Sequence, residues 1–164
     1  MREIPKLPQA RLYLQAALWG LESLVSQRLL GVPYRFHVIG ILASLRAVQH
    51  ALYNHDRHIS PEHNKAVSEW WTATNPAAAK ELRFIKYARD SILKEGAFQS
   101  YAILSESGTG EGGNRTVTRE DYEMAYYVDG VRHDLVADIR AAAAWCEREL
   151  TAIESKLPPL HAPP

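Results

Sequence analysis

Residues 34–53 read YRFHVIGILASLRAVQHALY, and this stretch decides the fold class. Its apolar residues recur at spacings of three and four, which predicts one amphipathic helix; they are Val38, Ile41, Leu42, Leu45, Val48 and Leu52. The opposite side carries small residues at similar spacing, Gly40, Ala43, Ala47 and Ala51. Small side chains let another helix approach closely. Both sides are therefore expected to be packed, as in the central helix of a bundle.

Three further segments show helix signals. The first covers about residues 9–30 and is predicted to end at Gly31 and Pro33. Another is expected over residues 60–73, because Ser60-Pro61 combines a capping serine with proline at the first helical position. The last covers about residues 134–156, where apolar residues alternate spacings of three and four.

Residues 81–96 read ELRFIKYARDSILKEG and form the remaining predicted helix, with Asn75-Pro76 as its start signal and Gly96 as its end. Arg89 lies inside the apolar stripe of this helix. A guanidinium there keeps its proton, and burying it unpaired is very costly. Arg89 is therefore expected to meet a carboxylate, a carbonyl, a second subunit or a ligand phosphate.

The character of the sequence changes between this helix and the last one. Residues 98–104 and 123–128 could form strands, and Asp129-Gly130 is a strong turn signal. The Gly-rich residues 105–114 (SESGTGEGGN) are interpreted as the flexible tip of a hairpin. The predicted fold is mainly α: an antiparallel bundle of about five helices with a small β-hairpin before the last helix. One domain is expected over residues 1–164, with a disordered tail at 158–164.

The amino-acid composition argues against several classes of function and location. Lys plus Arg is 19 and Asp plus Glu is 19, so the formal net charge of zero argues against broad electrostatic binding to nucleic acid. Cys146 is the only cysteine, so no intrachain disulfide can form. No apolar run approaches membrane-spanning length, and residues 1–5 lack an apolar signal segment. A cytoplasmic location without a cofactor is the expectation.

The pattern Arg89-Asp90-x-x-x-Lys94, late in a helical bundle, resembles the HEPN superfamily. That family's hallmark is Arg, four to six residues and then His, often with Asn or Asp directly after the Arg. A hairpin-like insertion with Tyr-Tyr-Val-Asp-Gly at 126–130 and a closing helix resemble its abortive-infection-like branch. The resemblance implies a bundle, a homodimer that brings two motif helices together, and metal-independent RNA cleavage in active members.

One departure from the HEPN pattern changes the expected function. Lys94 stands where the histidine would be, and lysine, with a reference pKa of about 10.4, is a poor general base unless it is strongly desolvated. The resemblance then implies a non-cleaving relative in which Arg89 anchors an anion, Asp90 orients Arg89 and Lys94 adds a second cation. Alternatively, Asp90 and Lys94 form a surface ion pair and Arg89 is a buried structural residue.

Other residues offer weaker candidates. Arg46 and His50 lie four apart on one face of the central helix. They are candidates for ligand binding or for the displaced acid–base pair of a variant nuclease, or they form only a polar edge of this helix. Gln49 beside them needs a partner if buried. His50, His55, His58 and His63 fall within fourteen positions and are candidates for a metal site. They are weak candidates, because none of these pairs has the four-residue spacing of a typical helix-borne site.

Four aromatic residues could stack on nucleobases, but are interpreted as core or interface anchors; they are Trp70, Trp71, Tyr126 and Tyr127.

Three hypotheses follow from the sequence. The first is an HEPN-like homodimeric binding module, non-cleaving, in a bacterial defence or toxin–antitoxin-like context, whose partner is RNA, a nucleotide or a protein. The second is a purely structural or protein-interaction bundle. The third is a metal-dependent bundle enzyme that uses the cluster from His50 to His63.

Overall fold

A computed structural model describes residues 5–75, 79–95, 100–111 and 114–158. Five α-helices and one three-stranded antiparallel sheet form in these ranges, which confirms the predicted mainly α bundle. The helices are α1 (Pro8–Ser26), α2 (Gly31–Asn54), α3 (Pro61–Thr74), α4 (Arg83–Glu95) and α5 (Leu135–Glu154), and the strands are β1 (Ser100–Glu111), β2 (Asn114–Val128) and β3 (Val131–Asp134). Short 3-10 turns at Asp56–His58 and Lys80–Leu82 precede α3 and α4.

The turn between α1 and α2 differs from the prediction. α1 ends at Ser26, and the residues expected to stop it, Gly31 and Pro33, instead lie in the first turn of α2. Proline is tolerated there because the first N–H groups of a helix have no intrahelical partner. Gly31 has a φ of 61°, a left-handed conformation that glycine adopts without strain.

The start of α4 was also predicted from the wrong signal. Asn75, at φ 44°, is the left-handed residue that ends α3, and the neighbouring residues 76–78 lie outside the described ranges. The start of α3 is as predicted, because the Ser60 side chain accepts a hydrogen bond from the His63 backbone N–H.

The sheet is larger than the predicted hairpin. β1 pairs with β2 along its whole length, from Ser100 opposite Tyr126 to Glu111 opposite Asn114. Most of the Gly-rich stretch 105–114 therefore lies within paired strands, and residues 112–113 at the tip fall outside the described part. Asp129-Gly130 makes the predicted turn, and it leads into β3, a strand that the sequence pattern did not reveal.

One hydrophobic cluster joins the inner sides of the helices and one face of the sheet. α1 contributes Leu14 and Leu24, α2 contributes Ile41 and Leu45, and α5 contributes Ile139, all at most 2% exposed. α4 joins this cluster through the sheet, because Phe84 and Tyr87 pack against the Tyr126 ring at centroid distances of 6.2 and 6.3 Å.

Polar side chains close the ends of the bundle. The Asp56 carboxylate accepts hydrogen bonds from the Gln9 and Ala10 backbone N–H groups, at 3.1 and 2.8 Å, and so caps the start of α1 from outside that helix. Burial raises the pKa of Asp56 above its ordinary value, and those two bonds oppose the rise. No local sequence pattern indicated this long-range cap.

A second polar network fastens α1 to α5. The Arg11 guanidinium lies 2.5 Å from carboxylate oxygens of both Glu147 and Glu154. Lys6 Nζ donates to the carbonyl oxygens of Glu154 and Leu157, at 3.0 and 2.6 Å, at the end of α5. The side of α1 that faces α5 is therefore covered by α5 itself and held by these ion pairs and hydrogen bonds.

Candidate interaction face

The HEPN-like motif lies on α4, as predicted. Arg89, Asp90 and Lys94 fall within Arg83–Glu95, and the placement of the Arg89 and Lys94 side chains lies outside what the structure describes. Asp90 is half-buried and has a polar interaction. The three residues therefore share one helix, and the partner of Arg89 stays a prediction.

The second predicted group lies on α2. Arg46 and Gln49 are half-buried and His50 is exposed. Within the described ranges, neither Arg46 nor Gln49 has a hydrogen bond or ion pair. Arg46 therefore has an unused capacity to contact something outside this chain.

The histidines do not come together as a metal site in the described part of the chain, where no group of three or more potential ligands forms. His63 is 1% exposed, with its Nε2 donating to the Lys6 carbonyl oxygen at 3.0 Å and its Nδ1 2.9 Å from the Ser60 hydroxyl. His58 accepts from Arg57 Nε at 3.2 Å, and His55 is exposed at the end of α2. These contacts give His63 a structural role between the N-terminal segment and α3.

The aromatic candidates divide between the core and the surface. Trp70 is buried, packs against Trp145 and donates from Nε1 to Glu149 at 2.8 Å, so it is a core anchor as interpreted. Tyr126 is also buried, and burial with the hydrogen bond to Asp138 raises its pKa well above the usual range. Tyr127 is 43% exposed and belongs to a surface group on the sheet.

That surface group surrounds Arg132. Tyr101 and Tyr127 stack at a centroid distance of 5.9 Å, and Arg132 donates to the Tyr101 hydroxyl at 3.3 Å and to Glu123 at 2.7 Å. The hydrogen bonds with Tyr127 and Arg132 lower the pKa of Tyr101. A cleft of about 360 Å³ adjoins the group, where α5 contributes Arg140. Its charges are mixed in sign, so it offers no single strong electrostatic preference.

The least expected feature is an apolar surface on α1. Trp19 is 70% exposed and Leu12 is 56% exposed, and with Ala16 they lie at spacings of four and three on one side of the helix. A shallow depression of about 480 Å³ runs along this side, lined by Leu12, Gln15, Ala16, Leu18, Trp19 and Glu22. This side of α1 points away from the core residues Leu14 and Leu24.

A matching surface lies on α2. We call it the α2 stripe: Val32, Phe36, Ile39, Ala43, Arg46 and His50. Their spacings of 4, 3, 4, 3 and 4 are those of a helix that packs along another helix. Phe36 is 71% exposed, Val32 64% and Ile39 45%. The stripe thus has the spacing of a packed seam and the exposure of a free surface.

The small-residue side of α2 is not packed as predicted. Ala51 is buried and Ala47 is half-buried, but Gly40 and Ala43 are exposed. A Cβ added at Gly40 would meet nothing within 4 Å. In contrast, a Cβ at Gly20 on α1 would lie 2.9 Å from Ile41 Cγ1, because α1 and α2 pack closely there. The described residues therefore cover the inner side of α2, and no helix among them covers its outer side.

The exposed sides of α1 and α2 belong to neighbouring helices that bury their other sides in the same core. We call these two exposed sides together the outer face: Leu12, Ala16 and Trp19 together with the α2 stripe. The sequence contained the spacing of the α2 stripe. It did not show which of two periodic sides of α2 the chain itself would cover.

No family model matches the chain, and neither a curated protein nor a solved structure matches it. No helix among the described residues is both long and apolar enough to cross a membrane. The function therefore has to be inferred from the geometry of the chain itself.

Proposed function

We propose that the protein is a homodimeric protein-interaction module whose subunits associate through the outer face. The exposure of Trp19 and Phe36 carries this proposal. An aromatic side chain presents about 150–250 Å², so exposures of 70% and 71% leave roughly 300 Å² of these two residues open. That area alone reaches the lower end of the about 300–600 Å² in the largest patch of a typical monomer.

The composition of the outer face supports a protein as its partner. Large aromatics and Arg are enriched in protein interfaces, and the outer face contains Trp19, Phe36 and Arg46. Leu12, Val32 and Ile39 extend its apolar part, and the whole approaches the about 800 Å² that each partner buries in a standard interface. A second copy is a partner that is always present at equal concentration.

The mass of the purified protein in solution tests this proposal. Light scattering after size exclusion should give twice the 18.5 kDa of one chain. Trp19→Glu should give the single-chain mass, because burying an unpaired carboxylate in an apolar interface is costly. Ile103→Glu is the matched control, since Ile103 is 50% exposed and lies on β1, which is not part of the outer face. A wild-type protein that stays monomeric at high concentration would refute the proposal.

The HEPN resemblance supplies a competing geometry for the same dimer, with the α4 helices facing each other across the two-fold axis. The exposed side of α4 carries Arg83 and Lys86, and like charges brought together at an interface cost several kcal/mol. We therefore favour the outer face over α4. The distance between the two Arg89 side chains in a dimer structure separates the models, because only the α4 model brings them into one cleft.

The same resemblance bears on catalysis. Lys94 occupies the position of the expected histidine and is a poor base at neutral pH. We therefore propose that the module binds without cleaving RNA. Incubating the dimer with a labelled RNA in EDTA should leave the RNA intact, and cleavage that is lost in Arg89→Ala would overturn this part of the proposal.

RNA or nucleotide binding on the sheet is a second candidate function, favoured by the Tyr101–Tyr127 stack. Stacking of a base on an aromatic ring contributes about 1–3 kcal/mol and tolerates any sequence. Arg132 could pair with a phosphate, but it already contacts Glu123 at 2.7 Å. Fluorescence anisotropy with a labelled oligouridine tests this candidate. Binding should weaken about tenfold or more in Tyr127→Ala and stay unchanged in Trp19→Glu.

A further inference from the structure

The order of residues along the α2 stripe makes it complementary to itself in one orientation. Reversing one copy about the level of Ile41 sets Val32 opposite His50, Phe36 opposite Arg46 and Ile39 opposite Ala43. A large residue then faces a smaller or polar residue in each pair. A two-fold axis perpendicular to the helix generates this arrangement, and it is the usual symmetry of a homodimer.

We infer that the α2 helices of two copies pack antiparallel across a two-fold axis at the level of Ile41, and this inference rests on the proposed dimer. Gly40 lies beside that axis, with open space where its side chain would be. Small residues at a crossing let two backbones approach to the short end of the usual 8–10 Å. The exposed small residues Gly40 and Ala43 thereby acquire the close neighbour that their spacing predicts.

Charge favours the antiparallel orientation over the parallel one. α2 contains no acidic residue, so a parallel pair would set Arg46 against Arg46 with no carboxylate on either helix. In the antiparallel pair the two Arg46 positions are ten residues apart along the axis, or about 15 Å at 1.5 Å per residue. That separation exceeds the Debye length of about 8 Å at physiological salt, so their repulsion is largely screened.

The antiparallel pair also gives Arg46 a partner. Its guanidinium, which lacks a hydrogen bond or ion pair within the described ranges, would lie over the ring of Phe36 in the other copy. Such contacts contribute about 0.5–1 kcal/mol at exposed sites and more when desolvated. The chain already uses this contact elsewhere, with the Arg57 guanidinium 3.9 Å from the centroid of the Tyr53 ring.

Cysteine cross-linking tests the orientation. Cys146 does not interfere, because it is 1% exposed and burial raises the pKa of its thiol to about 12. Val32 and His50 are eighteen residues apart, about 27 Å along the helix, so they cannot be linked within one chain. Oxidation of the double variant Val32→Cys/His50→Cys should give covalent dimers, whereas Val32→Cys alone and His50→Cys alone should give monomers. Ala152→Cys, on the exposed side of α5, is the control for random collision.

Each outcome separates this inference from the proposed dimer. A dimer by mass whose double variant fails to cross-link refutes the antiparallel α2 pair and leaves the outer-face proposal standing. Efficient linking by Val32→Cys alone indicates a parallel pair and also refutes the inference. A wild-type monomer refutes both.

Gly40→Leu provides a second test that does not depend on a thiol. Leucine has a higher helix propensity than glycine, and the space around Gly40 is open in one chain, so the monomer should be at least as stable. At the axis of the antiparallel pair the added side chain meets its own copy, so the dissociation constant should rise more than tenfold. A dimer unaffected by Gly40→Leu would overturn the inference.

Discussion

The inner and outer sides of α2 carry equally regular helical spacing and have opposite environments. On the inner side, Ile41 and Leu45 are at most 2% exposed, and on the outer side Phe36 and Ile39 are 71% and 45% exposed. The hydrophobic effect favours burial of both sides. The difference shows that periodicity reports a need for packing, and that the partner can lie in the same chain or in another molecule.

We expect the largest effect on the free energy of unfolding from truncating Ile41 on the inner side of α2. Ile39, a residue of the same type on the outer side, provides the comparison. Ile41→Ala should lower the free energy of unfolding by about 2–4 kcal/mol, because it leaves a cavity in the core. Ile39→Ala should change it by less than about 0.5 kcal/mol in the monomer. Urea denaturation at a protein concentration below the dimer dissociation constant measures both. Equal losses would mean that the outer side is packed within the chain.

Phe36→Glu should abolish the dimer with almost no effect on the fold. The change removes an aromatic anchor and places a carboxylate in the interface, so the dissociation constant should rise about 100-fold, equivalent to about 2.8 kcal/mol. Analytical ultracentrifugation measures the constant. Tyr127→Glu is the control, because Tyr127 is 43% exposed on the sheet. A dimer that tolerates Phe36→Glu would place the interface elsewhere.

Substitutions of Gly40 and Gly20 by alanine extend the comparison and should change stability by smaller amounts. Gly40→Ala should stabilise the monomer by about 0.5–1 kcal/mol, because alanine is the better helix former and the site is open. Gly20→Ala gains the same propensity but sets its Cβ 2.9 Å from Ile41 Cγ1, so α1 and α2 must separate or Ile41 must shift. Thermal unfolding of the two variants should therefore move in opposite directions. A higher melting temperature for both variants would show that α1 and α2 accommodate the added Cβ at position 20 without loss of stability.

The last comparison concerns Arg46. Arg46→Ala should weaken the dimer about five- to thirtyfold, because the two-fold axis repeats the contact and each of the two copies of it contributes about 0.5–1 kcal/mol. Arg35→Ala is the matched control, since Arg35 is exposed on α2 outside the α2 stripe. Isothermal dilution calorimetry can resolve the difference. An equal effect of both variants would assign it to the net charge of α2 instead of to a specific contact.

Much of the fold could be predicted from residue patterns. Ser60 capped α3 as expected, and Asp129-Gly130 made a turn. The seam from Leu135 to Ile153 became the buried side of α5, and Leu157 is buried just beyond the end of that helix. These signals act over a few residues, so they survive without knowledge of the rest of the chain. Gly31 and Asn75 were assigned to the wrong helix ends, because glycine and asparagine mark a break without showing which neighbouring helix it belongs to.

The candidate site was less predictable. Arg46 and His50 were singled out as a polar pair, and they prove to be the polar end of an apolar stripe. The exposure of Trp19 and Phe36 could not be predicted from the sequence, because an exposed aromatic and a core aromatic have the same helical spacing. Asp56 caps α1 through Gln9 and Ala10, which precede it by 47 and 46 positions in the sequence. No local sequence pattern reports a contact over that separation.

The sequence by itself determined the helices, their order and the two apolar sides of α2, since helix formation and amphipathicity depend on residues within a few turns. The tertiary structure decided which side of α2 meets α1 and the core, because packing between distant segments decides which of two periodic sides of a helix is buried. It also placed Asp56 at the start of α1 and left Trp19, Phe36 and the α2 stripe open. The free energy still available from burying that face is the physical reason to expect a second subunit there.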